Sequence, residues 1–333
     1  MSARYADKIE TLRGLFGTHN VTVEQGRITI AGVGYPIIDD VIVLLEPHLW
    51  PAWIRQRSGA GGTADRAFAP DIQATFGAEW RAFPRVLPEH AQEFAQYFDL
   101  VDLRRVAGKR VMDLGCGIGR WSYFLKDRAR EVVLVDFSEA IFVARQNLDQ
   151  APNALFFLAD LTALPFKRDC ADLVVCLGVL HHLPVDALNA TRSLERYAPE
   201  LLIYLYSALD ARPVYQRGLL SIVTGVRVLV SRVESPAFRT AFTWLAAATL
   251  YWPLIALGHL LRPFGLSNRV PLYEFYARKS AERVRQDVYD RFFTRIEQRV
   301  TRQQILALRD TFARVTVSEQ IPQWHFLCER NST

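Results

Sequence analysis

Three glycines alternate behind an aspartate in the stretch DLGCGIG, which runs from Asp113 to Gly119. A strand that leads through a glycine-rich turn into a helix can hold a phosphate or a nucleotide, because the bare backbone comes close to the ligand. The dinucleotide-binding pattern G-x-G-x-x-G, counted from Gly115 and Gly117, needs a glycine at position 120, where this chain has Arg120. Taken alone, the glycines are weak evidence for any one ligand.

Two further acidic residues follow predicted strands. Asp136 ends the apolar run VVLVD, 21 residues after Gly115, where a carboxylate can accept hydrogen bonds from both hydroxyls of a ribose. Asp160, in LADLTALPF, can accept a hydrogen bond from the amino group of an adenine. Asp113 and Asp160 could instead only cap helices or turns. The ordered set of acids nevertheless favours a ligand that contains adenosine.

Strand-like and helix-like segments alternate from residue 109 onwards. This alternation predicts an α/β fold with a parallel sheet and helices on both faces. The pattern breaks at 207 and resumes near 301, so the residues between are predicted to be an insertion within one sheet. The predicted strands are 109–114, 131–136, 154–158, 172–178 and 200–206, and the predicted helices are 119–128, 139–149 and 185–197.

The ordered motifs DLGCGIG, LADLTALPF and DLVVCLGVLHHL resemble those of the class I S-adenosylmethionine-dependent methyltransferases of the small-molecule type. The resemblance is dense from 109 to 206 and extends to 301–330 only in the order of elements. It implies a Rossmann-like, seven-stranded methyltransferase sheet whose last strand is antiparallel. It also implies S-adenosylmethionine as the cofactor, bound over the carboxyl ends of the first strands.

The resemblance further implies roles for individual residues. The methionine arm of the cofactor would lie against the glycine turn, where a Cβ atom would push the sulfonium away from the acceptor. Asp113 would orient the amino group through the turn, Asp136 would hold the ribose and Phe137 would pack on the adenine. Asp160 and the backbone of Leu161 would bind the adenine edge. The full predicted cofactor site is Asp113, Gly115, Cys116, Gly117, Asp136, Phe137, Asp160, Leu161, Leu177 and Gly178, with no metal.

Methyl transfer from a sulfonium is an in-line displacement, so the alignment of the reacting atoms supplies much of the rate. A hydroxyl acceptor also benefits from a base, and His182, just past the fourth strand, is the first candidate, followed by His181. Both histidines could instead only support their loop. Tyr206 could position the acceptor or pack under the insertion. Trp80, in FGAEWRAF, could close over the cofactor or substrate, or pack against the first helix of the core.

The first fifty residues resemble a small β module. VTVEQGRITI predicts a hairpin that turns at Gln25-Gly26, and the following YPIIDDVIVLL resembles the tail of zinc-ribbon modules that precede or activate some methyltransferases. No cysteine precedes Cys116, so the resemblance implies a degenerate, metal-free remnant. We divide the chain into this module at 1–50, a helical cap at 51–108, a cofactor-binding core at 109–209, a helical lid insertion at 210–300 and a C-terminal helix and strands at 301–333.

The insertion is apolar and basic. Residues 240–261 carry no charge and are long enough to cross a membrane. Because the strands on both sides must join one sheet, a single crossing is not expected, and we predict a lid over the active site or a contact with a bilayer surface. Trp244 and Tyr276 are predicted substrate contacts. A dimer interface is the alternative.

Charge and cysteine content restrict the partners. Residues 211–269 contain seven arginines and one acidic residue, although the whole chain of 333 residues carries a net charge of only +5. A basic and strongly apolar segment favours a membrane surface or an acidic amphiphile over nucleic acid. The arginines could also only reflect a high overall arginine content. Four scattered cysteines and the lack of an apolar leader predict a cytoplasmic location, with or without peripheral attachment to a membrane.

These observations favour a methyltransferase that acts on an apolar or amphiphilic small molecule at an oxygen atom. The alternatives are a methyltransferase of a membrane lipid or quinone, at carbon or oxygen, and a non-catalytic scaffold that binds the cofactor. Peripheral membrane contact through 211–269 and a homodimer are further expectations. Nucleic acid is not expected as a partner, because no basic strip with interleaved aromatic residues stands near the predicted site.

Overall fold

The computed structural model of this chain describes residues 3–24, 26–50, 54–55, 70–208, 214–320 and 323–331. The chain forms two compact units. The first unit comprises Met1–Ala208 and Glu297–Thr333, and the second comprises Leu209–Ile296. The sequence places the limits of the insertion at 210 and 300.

The first unit is organised around one large sheet. Its strands are β1 (Val21–Glu24), β2 (Arg27–Ile30), β3 (Val33–Ile38), β4 (Val41–Val43), β5 (Arg110–Leu114), β6 (Glu131–Asp136), β7 (Ala154–Leu158), β8 (Leu173–Leu177), β9 (Glu200–Ser207), β10 (Arg299–Val300), β11 (Arg314–Val317) and β12 (Trp324–Glu329). Strands β5 and β7 are buried along their whole length. Strands that are covered on both faces are expected to be apolar almost throughout, as VVLV in β6 and ALFFL in β7 are.

Seven strands form the core of this sheet, in the order β7-β6-β5-β8-β9-β12-β11. Strands β7, β6, β5, β8 and β9 are parallel to one another. Strand β12 is antiparallel to both β9 and β11. The predicted α/β sheet of seven strands with an antiparallel last strand is therefore confirmed. The two-residue strand β10 adds a short parallel pair at the end of β9.

The N-terminal residues extend this sheet. Strands β1 to β4 pair antiparallel in sequence order, with the predicted hairpin between β1 and β2, and β4 then pairs parallel with β7 through Ile42 and Phe157. Leu12 and Leu15 are buried in the same core as Phe157. Tyr5 donates its hydroxyl hydrogen bond to the carbonyl of Asp40. The residues before 50 thus belong to the edge of the main core, and their resemblance to a zinc ribbon stays a prediction.

Helices cover the sheet and form the second unit. They are α1 (Ala3–Ala6), α2 (Ile9–Phe16), α3 (Pro70–Ala82), α4 (His90–Tyr97), α5 (Arg120–Leu125), α6 (Ala140–Asn147), α7 (Ala187–Ser193), α8 (Val214–Val230), α9 (Pro236–Ala246), α10 (Trp252–Leu261), α11 (Tyr273–Tyr276), α12 (Ala281–Phe293) and α13 (Arg302–Leu306). Residues 51–53 and 56–69 of the predicted helical cap lie outside the described residues.

The second unit contains one continuous helix of 29 residues, Pro236–Phe264, which includes α9, a π-helical turn and α10. The π-helical turn ends at Tyr251, two residues before Pro253, which has no N–H to continue the α-helical hydrogen bonds. Among the described residues, this is the one helix long and apolar enough to cross a membrane. Its inner side packs on a small core that includes Tyr251, Val284 and Phe292.

Candidate active site

A cavity opens in the first unit where β5, β6, β7 and β8 end. The strand order reverses between β5 and β8, and open α/β sheets bind their ligands at such a point. Among the described residues, no three His, Cys, Asp or Glu side chains converge as metal ligands. The predicted cofactor residues that line the cavity are Gly115, Cys116, Gly117, Asp136, Phe137, Asp160, Leu161, Leu177 and Gly178.

The glycine turn leads from β5 into α5. Gly115 has a φ angle of 71° and Gly117 one of 53°, a backbone conformation that residues with a Cβ rarely adopt. A Cβ atom at Gly115 would lie 2.4 Å from the side chain of Val179, and one at Gly117 would lie 3.0 Å from the ring of Trp80. The expectation that the ligand excludes side chains here is therefore incomplete, because the backbone conformation and the chain's own side chains already require glycine.

Asp136 joins the end of β6 to this turn. Its Oδ2 accepts a hydrogen bond of 2.8 Å from the N–H of Gly117, and its Oδ1 accepts bonds from the N–H and the hydroxyl of Ser138. The carboxylate lines the cavity and is 8% exposed, and burial raises its pKa. A carboxylate can accept about four hydrogen bonds, so acceptor capacity is left for a ligand. The predicted bond to ribose fits this geometry.

Asp160 also lines the cavity, after the end of β7. Its Oδ1 accepts hydrogen bonds from the N–H and the hydroxyl of Thr162. Asp160 thus caps a turn, which is the alternative role that the sequence left open. Capping uses Oδ1, and Oδ2 is compatible with the predicted contact to an adenine amino group.

Asp113 lies behind the turn and not in the described lining of the cavity. It is 1% exposed, and its Oδ2 accepts a hydrogen bond of 2.6 Å from the hydroxyl of Ser122. Burial raises the pKa of Asp113 to about 7, although the bond from Ser122 opposes the shift. Its predicted action on the ligand would be indirect, through the backbone of the turn that it supports.

The raised pKa of Asp113 predicts a pH-dependent stability. The folded state holds this proton more tightly than the unfolded chain, in which the pKa is near 4, so the contribution to stability falls as the pH rises from about 4 through about 7. Asp113→Asn keeps an acceptor for Ser122 and removes this titration. Relative to the variant, we expect the wild type to lose about 2 kcal/mol of unfolding free energy between about pH 5 and about pH 8. Urea unfolding of both proteins at both pH values measures this loss. Unfolding free energies that change in parallel with pH in the wild type and the variant would contradict the prediction.

Of the three predicted catalytic residues, His182 lines the cavity. Its ring lies 5.3 Å from that of Phe76 and 4.1 Å from that of His181, measured between ring centres. His181 is 1% exposed and stacks on Tyr206 at 4.0 Å, behind the described lining. Burial lowers the pKa of His181 well below its ordinary value, so this imidazole is neutral near pH 7. The geometry separates one histidine that faces the cavity from one that supports it.

Strand β10 covers the end of β9, where the sequence suggested a site for the acceptor. Tyr206 and Ser207 pair with Arg299 and Val300, and the N–H of Ser207 donates to the side chain of Gln323. The guanidinium of Arg299 lies 5.2 Å from the ring centre of Tyr206. Tyr206 thus packs against β10, and both predicted roles, in the acceptor site and beneath the insertion, stay predictions.

Helix α3 supplies a wall of the cavity that the sequence only partly revealed. Gln73, Phe76 and Trp80 all line the cavity, and their spacing of three and four residues places them on one face of the helix. The side-chain amide of Gln73 donates a hydrogen bond of 2.8 Å to the carbonyl of Phe137. Trp80 is the residue of this face that the sequence predicted. The same helical spacing was the available signal for the other two.

Several other lining residues were also missed. Arg120 and Trp121 begin α5, directly after the turn, and Ser138 follows β6. Val179, Leu183 and Pro184 belong to the segment after β8. Their positions beside known motifs were the signal that could have identified them.

The remaining predicted substrate contacts, Trp244 and Tyr276, belong to the second unit. The indole of Trp244 is 45% exposed, and the guanidinium of Arg285 stacks on it at 4.2 Å. Tyr276 is buried, and its hydroxyl donates a hydrogen bond of 2.8 Å to Asp287. The hydroxyl of Tyr276 is therefore already engaged within this unit, and substrate contact by either residue stays a prediction.

Comparisons with known proteins agree with this geometry. A family model described as a methyltransferase domain matches residues 111–198. The demethylmenaquinone methyltransferase of Clavibacter sepedonicus is 31% identical over 152 residues, which are 44% of this chain and 61% of that protein. The tRNA U34 carboxymethyltransferase of Pseudomonas aeruginosa is 32% identical over 143 residues, which are 41% of this chain and 39% of that protein.

Among the solved structures that align with this chain is the magnesium protoporphyrin IX methyltransferase of Synechocystis PCC 6803. It aligns with a TM-score of 0.40 and 17% identity over 84% of this chain and 94% of that one. The chain spans 61% or less of the two curated relatives described above. The names of these two relatives differ in the acceptor.

S-adenosylmethionine is the cofactor of this class, and the cavity fits it. The cavity offers a glycine turn beside β5 and carboxylates at the ends of β6 and β7, the order that an amino-acid arm followed by a ribose and an adenine requires. The matched segment 111–198 contains these elements. Residues 111–198 of this chain match a methyltransferase domain, and the site is similar to that expected of the class I S-adenosylmethionine-dependent methyltransferases.

Proposed function

We propose that this protein transfers a methyl group from S-adenosylmethionine to an apolar or amphiphilic small molecule, at an oxygen atom. The observation that carries the proposal is the polarity of the cavity. Asp136 and Asp160 stand at the β6 and β7 side, whereas Phe76, His182 and Leu183 stand beyond the end of β8. An adenosine fits the acidic side, and an apolar acceptor fits the aromatic side.

When bound, the cofactor supplies a methyl group on a positively charged sulfur that leaves as a neutral thioether. The residues of this chain bind and orient both reactants. Asp136 and Asp160 hold the adenosine, and the wall formed by Phe76 and Leu183 excludes water from the acceptor. His182 accepts the proton that the acceptor hydroxyl loses as the new oxygen–carbon bond forms.

The test uses S-adenosylmethionine labelled in its methyl group, incubated with the protein and either a solvent extract of cells or total RNA. We expect label in products that partition into organic solvent. His182→Ala should slow this labelling on the order of 10²-fold and leave the affinity for S-adenosylhomocysteine unchanged within about twofold. Label confined to RNA would contradict the proposed acceptor. Wild-type rates in the variant would remove His182 from the reaction.

A second candidate acceptor is a membrane lipid or a quinone, methylated at carbon or oxygen. The second unit favours it, because two apolar stripes on its helices are exposed. Three of the exposed apolar residues in α8 are spaced by four and three positions, which places them along one side of that helix. Four in Pro236–Phe264 are spaced by seven or eight positions and are followed by Phe264, while Val228, Trp244 and Leu257 are exposed outside these two sets. The apolar stripes consist of Ile222, Val226 and Leu229 in α8 and of Phe238, Leu245, Trp252, Leu260 and Phe264 in the long helix.

Peripheral contact with a bilayer suits these stripes better than a crossing. The chain leaves β9 and returns in β10 at adjacent positions, where the N–H of Ala208 donates to the carbonyl of Val300 at 2.9 Å. A single crossing would have to separate these neighbours. Only 17% of the most apolar window of Pro236–Phe264 is buried, so most of this helix is free to contact lipid.

Charge also favours a bilayer with anionic lipids. Arg232 precedes the long helix, Arg262 lies in its last turn and Arg269 follows it, and all three are exposed. Each arginine near an anionic surface contributes about 1 kcal/mol of attraction. We place the protein in the cytoplasm at such a surface, and the four buried free cysteines are compatible with that compartment. Co-sedimentation with vesicles tests the contact, and a homodimer formed through the stripes is the competing outcome.

A further inference from the structure

Arg120 stands between two indole rings at the wall of the cavity. Its guanidinium carbon lies 5.4 Å from the ring centre of Trp80 and 4.6 Å from that of Trp121. One terminal nitrogen, Nη1, is buried and donates no hydrogen bond. In the part of the chain that the structure describes, Arg120 forms neither a hydrogen bond nor an ion pair.

This environment orients the guanidinium but leaves its donors unused. The faces of the two indoles attract the cation, yet they offer no oxygen or nitrogen to accept its N–H groups. A charged group that is partly removed from water without an acceptor is unfavourable. A ligand that brings an anionic oxygen to this wall would supply the acceptor that the indoles lack and that the buried Nη1 does not find within the protein.

We propose that Arg120 binds the carboxylate of the methionine arm of S-adenosylmethionine. The inference rests on the proposed use of this cofactor, whose carboxylate is its one anionic group. Arg120 is also the one lysine or arginine among the described residues that line the cavity. A planar guanidinium can donate two parallel hydrogen bonds to a carboxylate. Trp80 and Trp121 position this plane, and Arg120 positions the cofactor.

The place of Arg120 in the fold agrees with this assignment. It follows Gly119 directly, at the α5 end of the turn that begins at Gly115. Asp136 and Asp160 belong to the strands on the β6 and β7 side of the same cavity. Arg120 thus lies beside the turn that is predicted to hold the methionine arm. The carboxylates of Asp136 and Asp160 lie where the ribose and the adenine are predicted to bind. A carboxylate on the acceptor is the competing partner for Arg120.

The experiment compares two ligands by calorimetry. S-adenosylhomocysteine has the amino-acid arm, whereas 5′-methylthioadenosine keeps the adenosine and the thioether but lacks the carboxylate. We expect Arg120→Gln to weaken S-adenosylhomocysteine at least tenfold and to leave 5′-methylthioadenosine unchanged within about twofold. Arg120→Lys keeps the charge without the planar fork, so it should lose less affinity than Arg120→Gln. Arg104→Gln, at an exposed site paired with Asp102, is the matched control.

The outcomes separate the inference from the function on which it rests. No binding of S-adenosylhomocysteine to the wild type would overturn both. Binding to the wild type with the same affinity in Arg120→Gln would overturn the inference alone. An equal loss for both ligands would also overturn it, because a defect of folding or of the cavity wall does not distinguish ligands by their carboxylate.

Discussion

Asp136→Ala is expected to weaken the binding of S-adenosylhomocysteine at least tenfold, about 1.4 kcal/mol. The carboxylate accepts from the N–H of Gly117 and from Ser138, so its removal frees the turn at the same time as it removes the predicted partner of the ribose. Both effects act on the same ligand. Isothermal titration calorimetry of the purified wild type and variant measures the change.

Two control variants distinguish the loss of a negative charge from the loss of the Asp136 carboxylate at its place in the cavity. Asp127→Ala removes an exposed carboxylate that is paired with Lys126. It changes the net charge as much as Asp136→Ala does, but the affinity for S-adenosylhomocysteine should stay unchanged. Ser138→Ala removes one donor to Asp136 but keeps the carboxylate in the cavity, so its loss should be smaller than that of Asp136→Ala. An affinity in Asp136→Ala equal to that of the wild type would show that the ribose is held elsewhere.

The double substitution Leu245→Glu and Leu260→Glu should lower the partition of the protein onto anionic vesicles at least a hundredfold. Each leucine that enters the apolar part of a bilayer contributes about 1.5–3 kcal/mol, and each glutamate would resist both that transfer and the anionic surface. The two side chains are 61% and 68% exposed, so the fold should tolerate the changes. Co-sedimentation with phosphatidylcholine vesicles, with and without phosphatidylglycerol, measures the effect.

The matched control is Val33→Glu, which places a glutamate on a 54% exposed apolar position of the first unit. It should bind vesicles as the wild type does, and the affinity of the double variant for S-adenosylhomocysteine should stay unchanged. Added salt should weaken the attraction of the flanking arginines. Equal sedimentation of wild type and double variant would refute the contact. A wild-type dimer that the glutamates convert to a monomer, without vesicle binding, would assign the stripes to self-association.

The order of the core elements could be predicted from the sequence because it depends on local patterns. Each buried parallel strand is a short apolar run, and the glycine turn and the acids after β6 and β7 follow such runs directly. Parallel strands bring their carboxyl ends to one edge of a sheet, so motifs that are far apart in sequence converge there. This is why the sequence alone assigns Asp136 and Asp160 to one cavity.

The positions of side chains behind or beyond that edge were less predictable. Asp113 belongs to the same motif as Gly115, yet it lies behind the turn on Ser122. His181 and His182 are adjacent in sequence, but only the second is among the described residues of the cavity wall. Neighbouring residues can point to opposite sides of the backbone, and the sequence pattern does not show which side is covered.

The sequence by itself determined the methyltransferase core, because alternating apolar runs, a glycine turn and acids at strand ends are properties of consecutive residues. The tertiary structure decided what completes the site and what surrounds it. Only folding brings Gln73 to Phe137 and Trp80 against the turn, places the guanidinium of Arg120 beside two indoles and joins β4 to β7. Such contacts join residues that are distant in the chain, and their energy depends on distance and burial, which no local pattern encodes.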